Sequence, residues 1–173
     1  MNKKLVVYFS HKGENYSKGR IVNLKKGNTE IAVEIISNIT GADIFEIVAD
    51  KKYPIKYDDC IEIAKKELRA NSRPKLKDDI DIKEYDTIFV GYPNWWGTMP
   101  MPVWTFLEEK DFTNKKILPF CTHEGSGLGK SESDIKKLIG GAEVLKGLAI
   151  NGSEVNNSEK QIKKWLEDSL KWQ

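Results

Sequence analysis

The chain is 173 residues long, with 39% hydrophobic residues, 31% charged residues and a formal net charge of +2. That length suits one domain over residues 1–173, and the composition excludes a disordered chain. So small a net charge gives no bulk electrostatic reason to bind nucleic acid or a membrane surface.

Short β-rich runs alternate with amphipathic stretches. Leu5 to Phe9 is a continuous apolar run, as expected of a strand buried on both faces. After a long polar gap, Ile31, Ile35 and Ile39 form a helical stripe within Asn28 to Ile39, which Gly41 is placed to end. Asp43 to Ala49, with Ile44, Phe45, Ile47 and Val48, reads as a second strand. Tyr57 to Ala70 reads as a helix with Ile61, Ala64 and Leu68 on one face, stopped by Arg73-Pro74. Asp86 to Gly91 carries a third strand, and Pro102 to Glu109 a short helix with proline in its first turn. Ile117 to Cys121 is a fourth strand, and Ser133 to Ile139 a helix stopped by Gly140-Gly141. Val144 to Ile150 is a fifth strand interrupted by Gly147. Ser158-Glu159-Lys160-Gln161 has the pattern of a capping box opening the last helix, whose buried stripe is Ile162, Trp165, Leu166 and Leu170.

Strand and helix alternate throughout, which favours an α/β fold with a parallel sheet covered by helices on both faces. Five such strands suit the doubly wound order 2-1-3-4-5, whose ligands bind beyond the C-terminal strand ends. The loops after the first, third and fourth strands are therefore the candidate site.

The first of these loops begins Ser10-His11-Lys12 and ends Gly27-Asn28-Thr29, immediately before a helix. A helix N-terminus presents unpaired N–H groups and a positive dipole end, which suit a phosphate; Asn28 and Thr29 could equally do no more than cap the helix. The second loop contains Pro93-Asn94-Trp95-Trp96-Gly97-Thr98. Two adjacent indoles there point to a stacking surface for a flat aromatic ligand rather than to an irregular core loop. The third loop, Thr122-His123-Glu124-Gly125-Ser126-Gly127, is glycine-rich and favours close backbone approach. His123-Glu124 reads as an orienting polar pair more readily than as an acid–base pair. Gly129-Lys130-Ser131 ends like a triphosphate-binding loop, but Glu124 stands where that motif needs glycine, so a nucleotide triphosphatase is not expected.

Cys60 and Cys121 are far apart and form no CxxC pair, and two histidines add little, so two buried reduced thiols and no metal are expected. The N-terminus lacks a signal-peptide core, and no apolar run approaches the ~20 residues of a membrane span; a cytoplasmic chain without membrane contact is expected.

Taken together, the three loops resemble the flavodoxin family. The pieces that look like the family's phosphate loop, Ser/Thr-x-Ser/Thr-Gly-Asn-Thr, are Ser10-His11-Lys12 and Gly27-Asn28-Thr29. The stretches PNWWGTMPMPVWTFLEE and PFCTHEGSGLGKSESDI are similar to a bacterial branch of flavodoxin-like proteins, and the likeness runs from Lys4 to about Leu166. The resemblance implies a flavodoxin-like three-layer sandwich and a non-covalently held flavin mononucleotide (FMN). It places the phosphate on Ser10, His11, Lys12, Gly27, Asn28 and Thr29. The ring falls on Pro93, Asn94, Trp95, Trp96, Gly97 and Thr98, and on Thr122, His123, Glu124, Gly125 and Gly127. Electron transfer to a redox partner protein or a small acceptor follows as the expected function. An NAD(P)H:quinone-type reductase, with His123 and Tyr16 as candidate proton donors, is the alternative; a flavin-free interaction module is a third.

Two features depart from the family pattern. Residues 13–26 interrupt the phosphate loop with Lys18, Arg20, Lys25 and Lys26 against Glu14, as a cationic flap or, preferred here, a solvated excursion. Many electron-carrying flavodoxins are also strongly acidic, whereas this chain is slightly basic.

Overall fold

The computed structural model describes residues 2–171. Its first strand, β1 (Lys4–Tyr8), holds Leu5, Val6 and Val7 fully buried. A continuous apolar run belongs where both faces of a strand are covered, and β1 lies between two parallel neighbours. After it come a hairpin, β2 (Gly13–Ser17) and β3 (Arg20–Leu24), then α1 (Asn28–Thr40), β4 (Asp43–Glu46), α2 (Tyr57–Arg69) and β5 (Thr87–Pro93). The chain continues through α3 (Met101–Glu109), β6 (Lys116–His123), α4 (Ser131–Leu138), β7 (Glu143–Val144), β8 (Leu148–Asn151), a 3-10 turn (Gly152–Asn157) and α5 (Glu159–Leu170).

The large sheet runs β4-β1-β5-β6, and both β7 and β8 pair with β6 in parallel. This is the 2-1-3-4-5 order, with the last position shared by two short strands, so the sheet has six strands. The break falls at Gly147, whose N–H donates instead to the Glu132 carboxylate at 2.9 Å.

Side chains alternate across the sheet and build two cores. Leu5, Val7, Ile88, Val90 and Tyr92 pack with Val103, Phe106 and Ile135 on one face. Val6, Tyr8, Phe89, Leu118 and Phe120 pack with Ala32, Ile36, Ile162 and Leu166 on the other. Among the described residues, no helix is long and apolar enough to cross a membrane.

Four expectations need correction. Residues 13–26, exposed along most of their length as a solvated excursion would be, are not an irregular loop. They form an antiparallel hairpin in which Glu14 N–H donates to Ile55 O and the Glu14 carboxylate accepts from Tyr57 N–H, at 3.0 and 2.8 Å. The second strand ends at Glu46, although Ile47 N–H still reaches Tyr8 O at 2.6 Å. Helix α4 starts at Ser131, because Ser131 N–H and Oγ both donate to Leu128 O and wind the chain early. The last helix starts where expected, yet the capping box is not formed. Ser158 is αR rather than extended, and its hydroxyl donates back to Val155 O at 2.6 Å, closing the preceding 3-10 turn.

Candidate functional site

The split phosphate loop is rejoined in space. Gly27 lies so close to β1's exit that a Cβ there would sit 2.1 Å from Ser10 Oγ and 2.9 Å from His11 O. Only a residue without a side chain lets the two halves touch. Ser10 Oγ accepts from Glu30 N–H at 3.2 Å, and Gly27, at the N-cap of α1, brings no side-chain cap. His11 Nε2 meets Pro54 O at 2.8 Å, whereas Lys12 is exposed. Thr29 is turned inward, its hydroxyl 2.8 Å from that of Thr122, which ties the first loop to the third.

The two tryptophans have different tasks. Trp95 and Thr98 exchange backbone hydrogen bonds of 2.9 and 3.3 Å, with Trp96 (φ 56°) and Gly97 (φ 88°) between them. Positive φ at both central positions is the pattern of a type I′ turn. The Trp95 ring meets those of Phe9, Tyr53 and His11 in T-shaped contacts, at ring-centroid distances of 5.1, 5.1 and 5.9 Å. Trp96 is 50% exposed, donates from Nε1 to Ile61 O at 3.1 Å and carries Lys65 over its ring. Asn94 braces the turn, accepting from Gly97 N–H at 2.9 Å and donating to Gly127 O at 2.7 Å. Thr98 is buried and donates to Asp134 at 2.5 Å.

In the third loop His123 Nδ1 accepts from Gly125 N–H at 2.8 Å, so the neutral ring carries its proton on Nε2. Burial holds the His123 pKa below its ordinary value, with the Glu124 charge pulling the other way. Glu124 Oε1 is buried and has no hydrogen-bond partner. A Cβ on Gly152 would lie 2.6 Å from Asn28 Nδ2 and 2.9 Å from that oxygen, so only glycine there lets the Asn28 and Glu124 side chains pack so closely against the 3-10 turn. Lys130 N–H donates to Gly97 O at 2.7 Å and joins the second and third loops.

These elements surround one cleft of about 380 Å³. His11, Asn28, Thr29, Pro93, Asn94, Trp95, Trp96, Thr122, His123 and Glu124 line it. Ser10, Lys12, Gly27, Gly97, Thr98, Gly125 and Gly127 do not form its wall. Among these, Ser10 and Gly27 shape the rejoined loop, Gly97 and Gly127 hold the second and third loops together, and Thr98 ties the second loop to α4.

The remaining wall is Glu14, Asn15 and Tyr16 of the hairpin, Tyr57, Cys60, Ile61 and Ala64 of α2, and Ser126 and Gly152. Of these, only Tyr16 carried any expected role, as a proton donor. The α2 residues recur at helical spacing, and that stripe was the available signal; it reads as core until the hairpin is seen to cover it. Burial pushes the Cys60 thiol up to about 12, so it contributes apolar surface rather than a nucleophile.

A family model described as flavodoxin matches residues 3–169. The chain belongs to the flavodoxin family. Its fold is similar to that of a candidate flavoprotein from Bacteroides eggerthii, with 27% identity, 98% of this chain and 99% of the other covered, and a TM-score of 0.79. A second, from Bacteroides uniformis, shares 29% identity over 94% of this chain and 98% of its own, with a TM-score of 0.76. A flavoprotein from Lactobacillus acidophilus, solved in complex with FMN, shares the fold at 24% identity, 91% and 98% coverage and a TM-score of 0.64. No curated protein matches. In this chain the β2–β3 hairpin supplies part of the cleft wall beside the three loops.

Proposed function

We propose that this chain binds one FMN in the cleft and acts as an electron-transfer protein. One observation carries the reading. A single cleft collects the N-terminus of a 13-residue helix, two indoles and a buried Glu124 oxygen that has no partner. A cleft of about 380 Å³ falls in the usual ~300–1,000 Å³ range of small-molecule sites. The residues present fit the cofactor. The α1 N–H groups suit its phosphate, the polar side chains of Asn28 and Glu124 on the cleft wall suit its hydroxyl chain, and the Trp95 and Trp96 indoles suit its ring. The FMN bound by the Lactobacillus acidophilus flavoprotein supports the same choice.

FMN supplies a centre that takes up and returns electrons. The chain binds and tunes it. Apolar walls at Cys60, Ile61 and Ala64 exclude water from the ring side. The indoles disfavour added negative charge on a stacked ring, whereas the backbone N–H groups of the third loop favour it. His123, protonated on Nε2 and half-buried, is a hydrogen-bond donor at the cleft wall.

Chemically reduced, FMN-loaded protein should pass electrons to a protein acceptor in a stopped-flow experiment while consuming no NAD(P)H in steady state. Steady NAD(P)H oxidation with a small quinone would favour the reductase alternative, for which Tyr16 and His123, both on the cleft wall, are the proton donors.

A further inference from the structure

Among the described residues, five large hydrophobic side chains are exposed: Tyr16, Ile21, Ile44, Ile55 and Trp96. Four of them gather at the cleft mouth. Tyr16 and Trp96 line the cleft itself. Ile21 is the cross-strand partner of Tyr16 on the hairpin. Ile55 lies against the hairpin's first residue, where a Cβ on Gly13 would come within 2.7 Å of it. Ile44 is on the edge strand β4. Exposed apolar groups grouped around an opening mark a contact surface; scattered ones do not.

The surround of this patch is basic. Residues 12–26 hold Lys12, Lys18, Arg20, Lys25 and Lys26, all exposed, against the single carboxylate Glu14, which is engaged by Tyr57 N–H. Lys56 adjoins Ile55 and is exposed, and Lys65 sits 5.2 Å from the Trp96 ring centroid. The α2 acids do not cancel this charge. At ~100° per residue, Asp59 and Glu62 point well away from the face that Tyr57, Cys60, Ile61 and Ala64 turn to the cleft, and Asp58, on the same side of α2 as Lys65, offsets one positive charge only. Lys18 and Lys26 have acidic partners, Glu154 and Glu34, but all four side chains are largely solvent-exposed. Such pairs are worth only ~0–1 kcal/mol and yield readily to a partner's carboxylates.

We propose that the cleft mouth is the docking surface for an acidic redox protein, one whose carboxylates ring its own redox centre. An apolar centre with a charged rim is the anatomy of a transient interface, and charge complementarity sets its orientation and association rate. The polarity is opposite to that of acidic electron carriers, which are steered to basic partners. This proposal rests on the FMN electron-transfer reading.

The test uses two haem proteins of opposite charge, acidic cytochrome b5 and basic cytochrome c. Dithionite-reduced, FMN-loaded protein gives one electron to each, reducing Fe(III) to Fe(II), and the second-order rate is followed as salt rises from low to physiological strength. The rate with cytochrome b5 should fall about tenfold, while that with cytochrome c should rise or stay level. Lys18→Glu/Arg20→Glu/Lys25→Glu, none of which lines the cleft, should keep FMN binding and reverse this preference. Ile21→Ser/Ile55→Ser should slow transfer severalfold without altering the salt slope. A cytochrome b5 rate that ignores salt or rises with it overturns the proposal, as does a triple variant with an unchanged slope. Wild-type protein that takes up no FMN fails the parent reading, and this proposal with it. FMN-loaded protein that reduces both cytochromes without charge preference fails the docking proposal alone.

Discussion

Replacing Glu124 by methionine should make the empty protein more stable and the loaded one weaker. The Glu124 Oε1 atom is buried without a partner, beside Asn28 and Gly152. An unsatisfied buried polar group costs ~1–3 kcal/mol, and methionine fills nearly the same volume without it. In a domain of this size each 1 kcal/mol moves the melting temperature by ~2–4 °C, so the empty variant should melt a few degrees higher. If a cofactor hydroxyl satisfies that oxygen, the variant forfeits a charge-assisted hydrogen bond of ~1.5–3 kcal/mol, and FMN should bind roughly ten- to a hundredfold more weakly. Glu124→Gln keeps an acceptor and should retain most of the affinity. Lumiflavin, which has the ring but no hydroxyl chain, should bind both variants like wild type. Thermal melts of the empty proteins and calorimetric titrations with FMN and lumiflavin read all of these. A Glu124→Met protein that melts lower when empty, or binds FMN as wild type does, refutes the reasoning.

Gly27→Ala keeps an allowed backbone (φ −64°, ψ 152°) but drives a methyl into Ser10 Oγ. Overpacking of this kind costs ~1–3 kcal/mol, so the variant should unfold at lower urea and bind FMN more weakly; unchanged values in both would show that the two halves of the loop need not touch. His123 has a folded pKa below its ordinary 6.5, so below that pH the unfolded chain takes up the proton more readily. Stability is therefore fully present above 6.5 and declines as pH falls through and below it. Protonation also removes the Nδ1 acceptor used by Gly125 N–H, so FMN affinity should decline over the same range. His123→Asn should flatten both profiles; equal slopes in the two proteins would assign the effect elsewhere. Burial pushes both Cys60 and Cys121 up to about 12, so neither should react with a thiol reagent at mildly alkaline pH until the chain unfolds, as timed labelling would show. Rapid labelling of Cys60 in the native protein would mean that the α2 wall opens.

The parallel sheet was legible because its central strands are buried on both faces and so read as unbroken apolar runs. Gly147 marked the division of the last strand for a physical reason: its backbone is claimed by Glu132 rather than by β6. The hairpin was not legible because its strands, with residues Gly13–Ser17 and Arg20–Leu24, are half polar and bury little. Its signal was Lys18-Gly19, a turn with φ of 48° and 84°, flanked by Tyr16 and by Ile21-Val22. Without the hairpin, the α2 stripe could only read as core. The three loops around the cleft were legible by position, since strand ends at a topological switch point need no knowledge of side-chain direction. Which side chains line the cleft was not: Thr29 is held there by Thr122, and Trp95 by T-shaped contacts with Phe9 and Tyr53, all distant in sequence.

The central claim is that the cleft binds FMN, and a fluorescence titration of the empty protein with FMN tests it most directly. The account predicts saturable binding at micromolar concentration or below, with flavin emission quenched by the adjacent indoles and the quenching reduced in Trp96→Leu. Flavin emission unchanged at micromolar protein, with no heat of binding, would contradict it.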